Sequence, residues 1–137
     1  MLKGRLEDQR MLTGRGRYVS DWNLPRQAYA HFLRSDRAHA EIVSIDASPA
    51  LAHAGVLAVF TGKDLGALKS LPAALPVKGR GGMELIHPGR PALAQDRVRF
   101  AGDAVAMVVA ETAAAAQDAA ELITVDYRDL PAVVTAQ

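Results

Sequence analysis

The stretch AVAMVVAETAAAAQDAAELITVDYRDLP, residues 104–131, is the part of the sequence that decides the fold. It begins with an uninterrupted apolar run, residues 104–110, which is typical of a strand covered on both faces. Thr112 then stands at the position of an N-cap, and the helix that follows has one apolar stripe. The stripe consists of Ala116, Ala119, Ala120 and Ile123. After it, Val125 and Tyr127 alternate with charged residues, so a half-exposed strand completes a predicted β-α-β unit.

Three further extended segments precede this unit. Residues 28–33 alternate small and large side chains, and residues 40–45 are rich in β-branched residues. The Arg-Ser-Asp-Arg stretch at 34–37 between them is typical of a turn, so we expect the two segments to form an antiparallel pair. The apolar residues 56–60 predict a buried strand.

The amino-terminal region predicts one short charged helix. It covers residues 6–12 and ends at the glycine-rich turn 14–17, because glycine accepts backbone conformations that stop a helix. Tyr18-Val19 then predicts a brief extended piece.

Two more helical starts are predicted within the central part of the chain. Ser48 is expected to cap a short helix that has Pro49 in its first position and Gly55 just past its end. Residues 61–65 predict another N-cap and a single helical turn, since Thr61 precedes an acidic side chain by three residues.

Residues 66–89 form a long loop that is rich in proline and glycine. Pro72, Pro76, Pro88 and the cluster at 79–82 all oppose regular structure. A loop of this length inside a compact domain is either functional or an interaction arm.

Composition limits the classes of function. With 137 residues, half of them apolar, residues 1–137 are expected to form a single α+β domain. The net charge of +1 gives no general attraction to nucleic acid or to anionic membranes. The absence of cysteine excludes disulfides and iron–sulfur ligation by this chain. The charged opening residues do not match a signal peptide, and no apolar run has membrane-spanning length, so a cytoplasmic location is expected.

No catalytic, cofactor-binding or metal-binding residue is predicted. The four histidines lack the spacing that aims two imidazoles at one ion; they are His31, His39, His53 and His87. His53 suits the end of a short helix, where a positive side chain complements the dipole. The carboxylates Glu7 and Asp8 lie in charged sequence where nothing raises a pKa, and no serine has the surroundings of a nucleophile.

Two basic, glycine-rich segments are candidate anion sites. Residues 13–17 lack the Lys-Ser/Thr pair of a phosphate-binding loop, so a structural turn is the favoured interpretation. Residues 78–82 are able to fold around an anion or to remain a solvated loop, and their role stays open.

Three blocks of the sequence, which together span nearly the whole chain, resemble one known family. Residues 5–21, RLEDQRMLTGRGRYVSD, are similar to the family's R-x-E-D-x-R-x-L-T-G-R-G-x-Y opening. The second block comprises RSDRAHAEI at 34–42, Ile45-Asp46, and GVLAVFTGKDL at 55–65. The third comprises RPALA at 90–94, VRFAGDAVA at 98–106 and VDYRDLPAV at 125–133. They resemble the N-terminal α/β-hammerhead domain of the molybdenum-cofactor-binding large subunit of the xanthine dehydrogenase, aldehyde oxidase and carbon monoxide dehydrogenase family. One departure is FAGDAVA at 100–106, where many relatives have V-G-E-P-V-A.

The resemblance implies an α/β-hammerhead with packed mixed sheets and a few short helices. It also implies an oxidoreductase, a molybdenum hydroxylase, in which this chain serves as scaffold and docking material and is inactive alone. In the family, the catalytic glutamate and the pterin loops lie in later domains, while FAD and [2Fe-2S] clusters lie on partner domains or subunits. The alternative is a free-standing binding module that uses its proline/glycine loop for a ligand or partner. We expect the isolated chain to form a homo-oligomer through apolar residues of the loop and the C-terminal region: Leu71, Leu75, Val77, Leu85, Ile86, Leu130, Val133 and Val134.

Overall fold

The computed structural model describes residues 4–66, 68, 70–71, 78–84, 89–133 and 135. Its helices are α1 (Asp8–Leu12), α2 (Ser48–Leu51) and α3 (Ala113–Glu121). Its strands are β1 (Tyr29–Arg34), β2 (Ala40–Asp46), β3 (Val56–Thr61), β4 (Arg97–Val98), β5 (Ala104–Ala110) and β6 (Thr124–Asp129). Short 3-10 turns occupy Val19–Asp21 and Arg80–Gly82. The α+β class is confirmed, as are the charged helix near the amino terminus and the strands at 104–110 and 124–129. A strand is also present at 56–61, but its predicted burial is wrong, because β3 is an edge strand with no buried residue and Leu57 is 57% exposed.

The strands form two three-stranded antiparallel sheets. The first has the order β1-β5-β3 and the second the order β4-β2-β6. The predicted antiparallel pair of residues 28–33 with 40–45 is therefore wrong, because β1 and β2 belong to different sheets. Ser35 explains the change of sheet: its amide donates to Asp103 O at 2.8 Å, and its carbonyl accepts from Gly102 N at 2.7 Å. These bonds tie the 34–37 connection to the start of β5 instead of closing a hairpin.

The elements of the predicted β-α-β unit are present, but they do not lie in one sheet. β5 is the centre of the first sheet, and β6 is an edge of the second. α3 therefore carries the chain from one sheet to the other. The Oγ1 atom of Thr112 accepts from Ala115 N at 3.1 Å, which confirms the predicted N-cap. The apolar stripe of this helix is also confirmed, since all four of its residues are buried.

The core consists of two buried clusters that meet at β5. The larger one joins α2, α3 and the first sheet, and its buried members are Ala50, Ala106, Val108, Ala119, Ala120 and Ile123. The smaller one joins β5 to the second sheet, and its buried members are Ala40, Ala94, Val98 and Val105. Side chains alternate across a strand, so successive residues of β5 enter different clusters. The many alanines let α3 approach the sheet closely.

The predicted capping role of Ser48 is wrong. Ala47 precedes α2 as its cap residue, and the carboxylate of Asp46 accepts from Ser48 N at 3.0 Å. An ionised carboxylate is a stronger acceptor than a hydroxyl, which explains why Asp46 takes this position. The helix ends at Leu51, well before Gly55, whose φ of +82° serves the following turn.

Two local predictions around Thr61 and Tyr18 differ from the structure. β3 runs through Thr61, and residues 62–66 form turns instead of a helix. The acidic partner was predicted correctly, since Asp64 Oδ2 accepts from Thr61 N at 2.7 Å and from Thr61 Oγ1 at 2.8 Å. The predicted extended piece at Tyr18-Val19 is correct only for Tyr18, because the 3-10 turn begins at Val19 and Asp21 Oδ2 accepts from Tyr18 N at 2.8 Å to close it.

Only parts of the 66–89 loop lie within the described residues. Leu71 forms an isolated antiparallel bridge with Arg90, and Gly79 N donates to Met83 O at 2.8 Å. The predicted irregularity of 72–77 and 85–88 lies outside the described residues, and the single-domain assignment of 1–137 stays a prediction. None of the helices in the described ranges has the length and apolar character needed to cross a bilayer.

Candidate functional site

Two adjoining cavities lie beside the long loop. Their volumes are about 290 and 440 Å³. Both are lined by Gly89, Pro91 and Arg99. The smaller adds Gly66, Leu68, Ser70, Gln95 and Asp96, and the larger adds Arg90, Ala94, Phe100 and Asp103. Sequence reasoning did not single out this groove, although Arg99-Phe100, an aromatic residue in a charged turn, was an available signal.

The turn between β4 and β5 shapes the larger cavity. Asp103 Oδ2 accepts from Arg99 N at 3.1 Å, which fixes the turn, and Gly102 adopts a φ of +95°. Phe100 is held at the tip with 58% of its surface exposed. An exposed aromatic side chain beside arginines is suited to contact a partner or ligand, and the turn does not pair a nucleophile with a base.

The second sheet carries a network of ion pairs on its surface. Glu41 contacts Arg128 and also lies 3.8 Å from Arg97, while Arg37 lies 3.4 Å from Asp36 and 3.7 Å from Asp129. Most of these side chains are substantially exposed, and exposed pairs of this kind contribute about 0–1 kcal/mol each. The network therefore indicates a solvated charged surface.

Among the described residues, three groups have clearly shifted pKa values. Burial raises the pKa of the Tyr127 phenol, and the Ser35 hydroxyl acts in the opposite direction. The amide of Ser48 holds the pKa of Asp46 below its usual range, and the amide of Thr61 does the same for Asp64; in both cases the hydroxyl of the same residue adds to the effect. All three shifts move the group away from neutral pH. They suit structural hydrogen bonding, not acid–base catalysis.

The histidines within the described residues lie apart. His39 Nδ1 lies 2.8 Å from Pro131 O, and His53 Nδ1 lies 3.0 Å from Ala54 O, just beyond the end of α2. His31 lies in β1 opposite Val108, and His87 lies outside the described residues. Among the residues that the structure describes, no three His, Asp or Glu side chains come together as ligands. These residues do not offer a set that fits molybdenum, and the absence of any metal from the chain stays a prediction.

The two glycine-rich segments have ordinary local explanations. Thr13 Oγ1 donates to Gln9 O at 2.7 Å, and Gly14 follows with a φ of +69°, so residues 13–17 end α1 as a structural turn. The Arg17 guanidinium lies 5.3 Å from the centre of the Trp22 ring, a distance at which cation–π attraction operates. In residues 78–82 the glycines at 81 and 82 both have positive φ, and the role of this segment stays open.

The amino-terminal block is highly specific in sequence and little buried in the structure. α1 contains no buried residue, and Leu6, Leu12 and Val19 are 104%, 86% and 92% exposed. Large apolar side chains in such numbers on one exposed arm are typical of a surface that meets another part of a protein.

Comparison with known proteins gives a consistent result. The family model described as "Aldehyde oxidase and xanthine dehydrogenase, a/b hammerhead domain" matches residues 13–131. The nicotine 6-hydroxylase large subunit of Paenarthrobacter nicotinovorans is 40% identical over 131 residues, covering 95% of this chain and 15% of that protein. The carbon monoxide dehydrogenase large chain of Afipia carboxidovorans is 42% identical over 130 residues, again covering 95% of this chain and 15% of that protein.

A solved structure agrees. Quinoline 2-oxidoreductase from Pseudomonas putida 86 superposes with a TM-score of 0.85 at 45% identity, covering 94% of this chain and 16% of that chain. The chain thus spans only about 15% of the length of these curated relatives.

Proposed function

Because the chain belongs to the a/b hammerhead domain family of aldehyde oxidase and xanthine dehydrogenase, we propose that it is a structural and docking domain of the large subunit of a molybdenum hydroxylase. The observation that carries this proposal is the exposed amino-terminal arm, residues 5–21, in which no residue is buried. Such a segment is retained for contacts outside the domain, since it adds little to the core.

In this proposal the chemistry belongs to other parts of the enzyme. Two relatives are a "large molybdopterin subunit" of nicotinate dehydrogenase and a "molybdenum-binding subunit" of xanthine dehydrogenase. The parent subunit would supply the molybdenum-pterin cofactor, and FAD and [2Fe-2S] clusters would lie on partner domains or subunits. This chain's own residues would hold the subunit's shape and its contacts.

The substrate would be a small molecule selected elsewhere in the subunit. The relatives named for nicotine and carbon monoxide, and the solved structure named for quinoline, have very different substrates at 40–45% identity to this chain. A domain that is so similar across such different substrates supports the whole family of reactions without choosing among them. A cytoplasmic location stays a prediction.

The alternative is a free-standing binding module. The larger cavity beside the loop favours it, because its walls combine the aromatic ring of Phe100 with the guanidinium groups of Arg90 and Arg99 and the carboxylate of Asp103, a mixed lining that suits a small planar polar ligand. In this alternative the exposed arm has no assigned partner, which is why we place it second.

The deciding experiment examines the native protein. We expect peptides of this chain to be found in a molybdenum-containing polypeptide whose mass is several times the 14.6 kDa of the 137 residues. The 137-residue chain, purified separately and passed over a gel-filtration column, should contain no molybdenum, flavin or iron by metal analysis and absorbance. Stoichiometric molybdenum or retained flavin in the 137-residue chain would overturn the structural assignment. A native polypeptide of only 137 residues would favour the binding module.

A further inference from the structure

The strand register places six apolar residues together on one side of the first sheet. Phe32 of β1 lies opposite Met107 of β5, which in turn lies opposite Phe60 of β3. In the neighbouring row, Val109 of β5 lies between Ala30 of β1 and Ala58 of β3. We call this surface the outer face; its members are Phe32, Met107, Phe60, Ala30, Val109 and Ala58.

The outer face is open, whereas the opposite side of the same strands is sealed. On the sealed side Ala106, Val108 and Ala110 are 0% exposed beneath α3 and its neighbours. On the outer face Phe32 is 40% exposed, and Met107 and Val109, although they lie in the central strand, remain partly accessible. None of the six belongs to the described buried clusters or packs against them.

Part of this side of β5 is already covered within the domain. Val105 points to the same side as Met107, and it is fully buried against Ala94 and Val98 of the second sheet's cluster. The covering residues end at Val105. Met107 and Val109, further along the same side of β5, have no covering partner among the described residues. A strand with apolar side chains on both faces is typical of a sheet covered on both faces. The outer face therefore has the composition of an interior and the exposure of a surface.

We propose that the outer face is covered by an apolar layer of the same large subunit, supplied by the polypeptide outside residues 1–137. This inference rests on the proposed function. The relatives supply the material for such a layer, because the chain spans 15% of their length and 85% lies outside it. The six residues carry neither charge nor hydrogen-bonding side chains, so the layer that meets them is apolar as well.

A second copy of the chain fits this face less well. An aromatic side chain has roughly 150–250 Å² to bury, so two partly exposed phenylalanines and four smaller neighbours offer on the order of 300 Å². Stable interfaces between separate proteins bury about 800 Å² on each partner. A covalently connected layer needs less area, because the linkage gives it an effective concentration in the millimolar range.

Methionine oxidation tests the proposal at the centre of the outer face. The native protein and the separate 137-residue chain are treated with dilute hydrogen peroxide, and the oxidation of each methionine is followed by mass spectrometry. Met83, 66% exposed, is the internal reference, and the urea-denatured chain gives the unprotected rate. We expect Met107 to be oxidised in the separate chain and to be slowed about tenfold or more in the native protein, since oxidation follows exposure.

The outcomes separate the possible occupants. Equal Met107 rates in a longer native polypeptide and in the separate chain would overturn the covering layer while leaving the proposed function intact. Protection in the separate chain that grows with protein concentration would assign the face to a second copy and overturn the proposal. A native polypeptide of 137 residues would contradict the proposed function itself.

A pair of variants provides an independent check. Phe32→Lys places a charge on the outer face, where Phe32 is 40% exposed, and Phe100→Lys places the same charge on a turn outside that face, where Phe100 is 58% exposed. In the separate chain both variants should melt close to the parent, because both side chains reach water. In the native protein Phe32→Lys should lower the melting temperature clearly more than Phe100→Lys. Equal effects of the two variants in the native protein would overturn the proposal.

Discussion

Val105 gives the sharpest test of the core. It is 0% exposed in the centre of the smaller cluster, and its buried neighbours Ala40, Ala94 and Val98 are all apolar. Val105→Asp would place a carboxylate where these neighbours offer no side-chain donor, at a cost of several kcal/mol. The free energy of unfolding of a domain is typically about 5–15 kcal/mol, so we expect this variant to be largely unfolded.

A milder variant gives a graded value. Val105→Ala removes two buried carbon groups at about 0.8 kcal/mol each, and the cavity left behind raises the expected loss to roughly 2–3 kcal/mol. Val109 is the matched control, because it lies on the same side of β5 but is only partly buried. Val109→Asp and Val109→Ala should each cost clearly less in the separate chain. Urea unfolding followed by circular dichroism measures all four variants. If the urea midpoint of Val105→Asp lay close to that of the parent, Val105 would not belong to the core.

Three further predictions address the cap, the pH dependence and the association state. Thr112→Ala should lower stability by about 1 kcal/mol in urea unfolding and Thr112→Ser should not, since Ser also accepts from the third helical amide; equal losses would contradict the capping role. The pKa of Asp64 is lower when folded than its ordinary 3.8, so its stabilising effect is present above that pH and is lost as the pH falls through the folded value. The stability difference between the parent and Asp64→Asn should therefore shrink from pH 7 to pH 2, and a constant difference would rule out this contribution. The 137-residue chain should self-associate through exposed apolar residues such as Leu71 and Val133, which are 71% and 95% exposed. Light scattering over a concentration series measures this, and a strictly monomeric mass at high concentration would contradict it.

The elements that the sequence predicted well are those specified by local chemistry. The apolar run of β5, the Thr112 cap and the stripe of α3 depend on residues within a few positions of one another, and all are confirmed. The resemblance of three sequence blocks to the hammerhead domain is confirmed as well.

The errors concern partners far apart in the sequence. Local turn residues at 34–37 favoured a hairpin, but Ser35 is held by the backbone at Gly102 and Asp103, and no local pattern reveals that contact. The placement of β5 and β6 in different sheets likewise depends on tertiary packing. The larger cavity, with Arg99 and Phe100, was missed although all of its lining residues lie between 89 and 103, because a cavity depends on how the turn before β5 folds back, which the residue pattern does not show.

The order of strands in the two sheets determines when this domain is able to fold during its synthesis. Among the described strands, β1 pairs with β5 alone. Even the pair with the smallest separation in sequence, Arg34 with Ala104, joins residues far apart along the chain. The pairing partners of β2 are β4 and β6, which also come much later in the chain. A ribosome adds about 5–20 residues per second, so β1 leaves translation several seconds before its partner exists. The first hundred residues therefore emerge without a complete sheet, and their apolar strand faces stay uncovered until β5, α3 and β6 have been made. A stop codon before β5 would leave the first sheet without its central strand and the second sheet without β6.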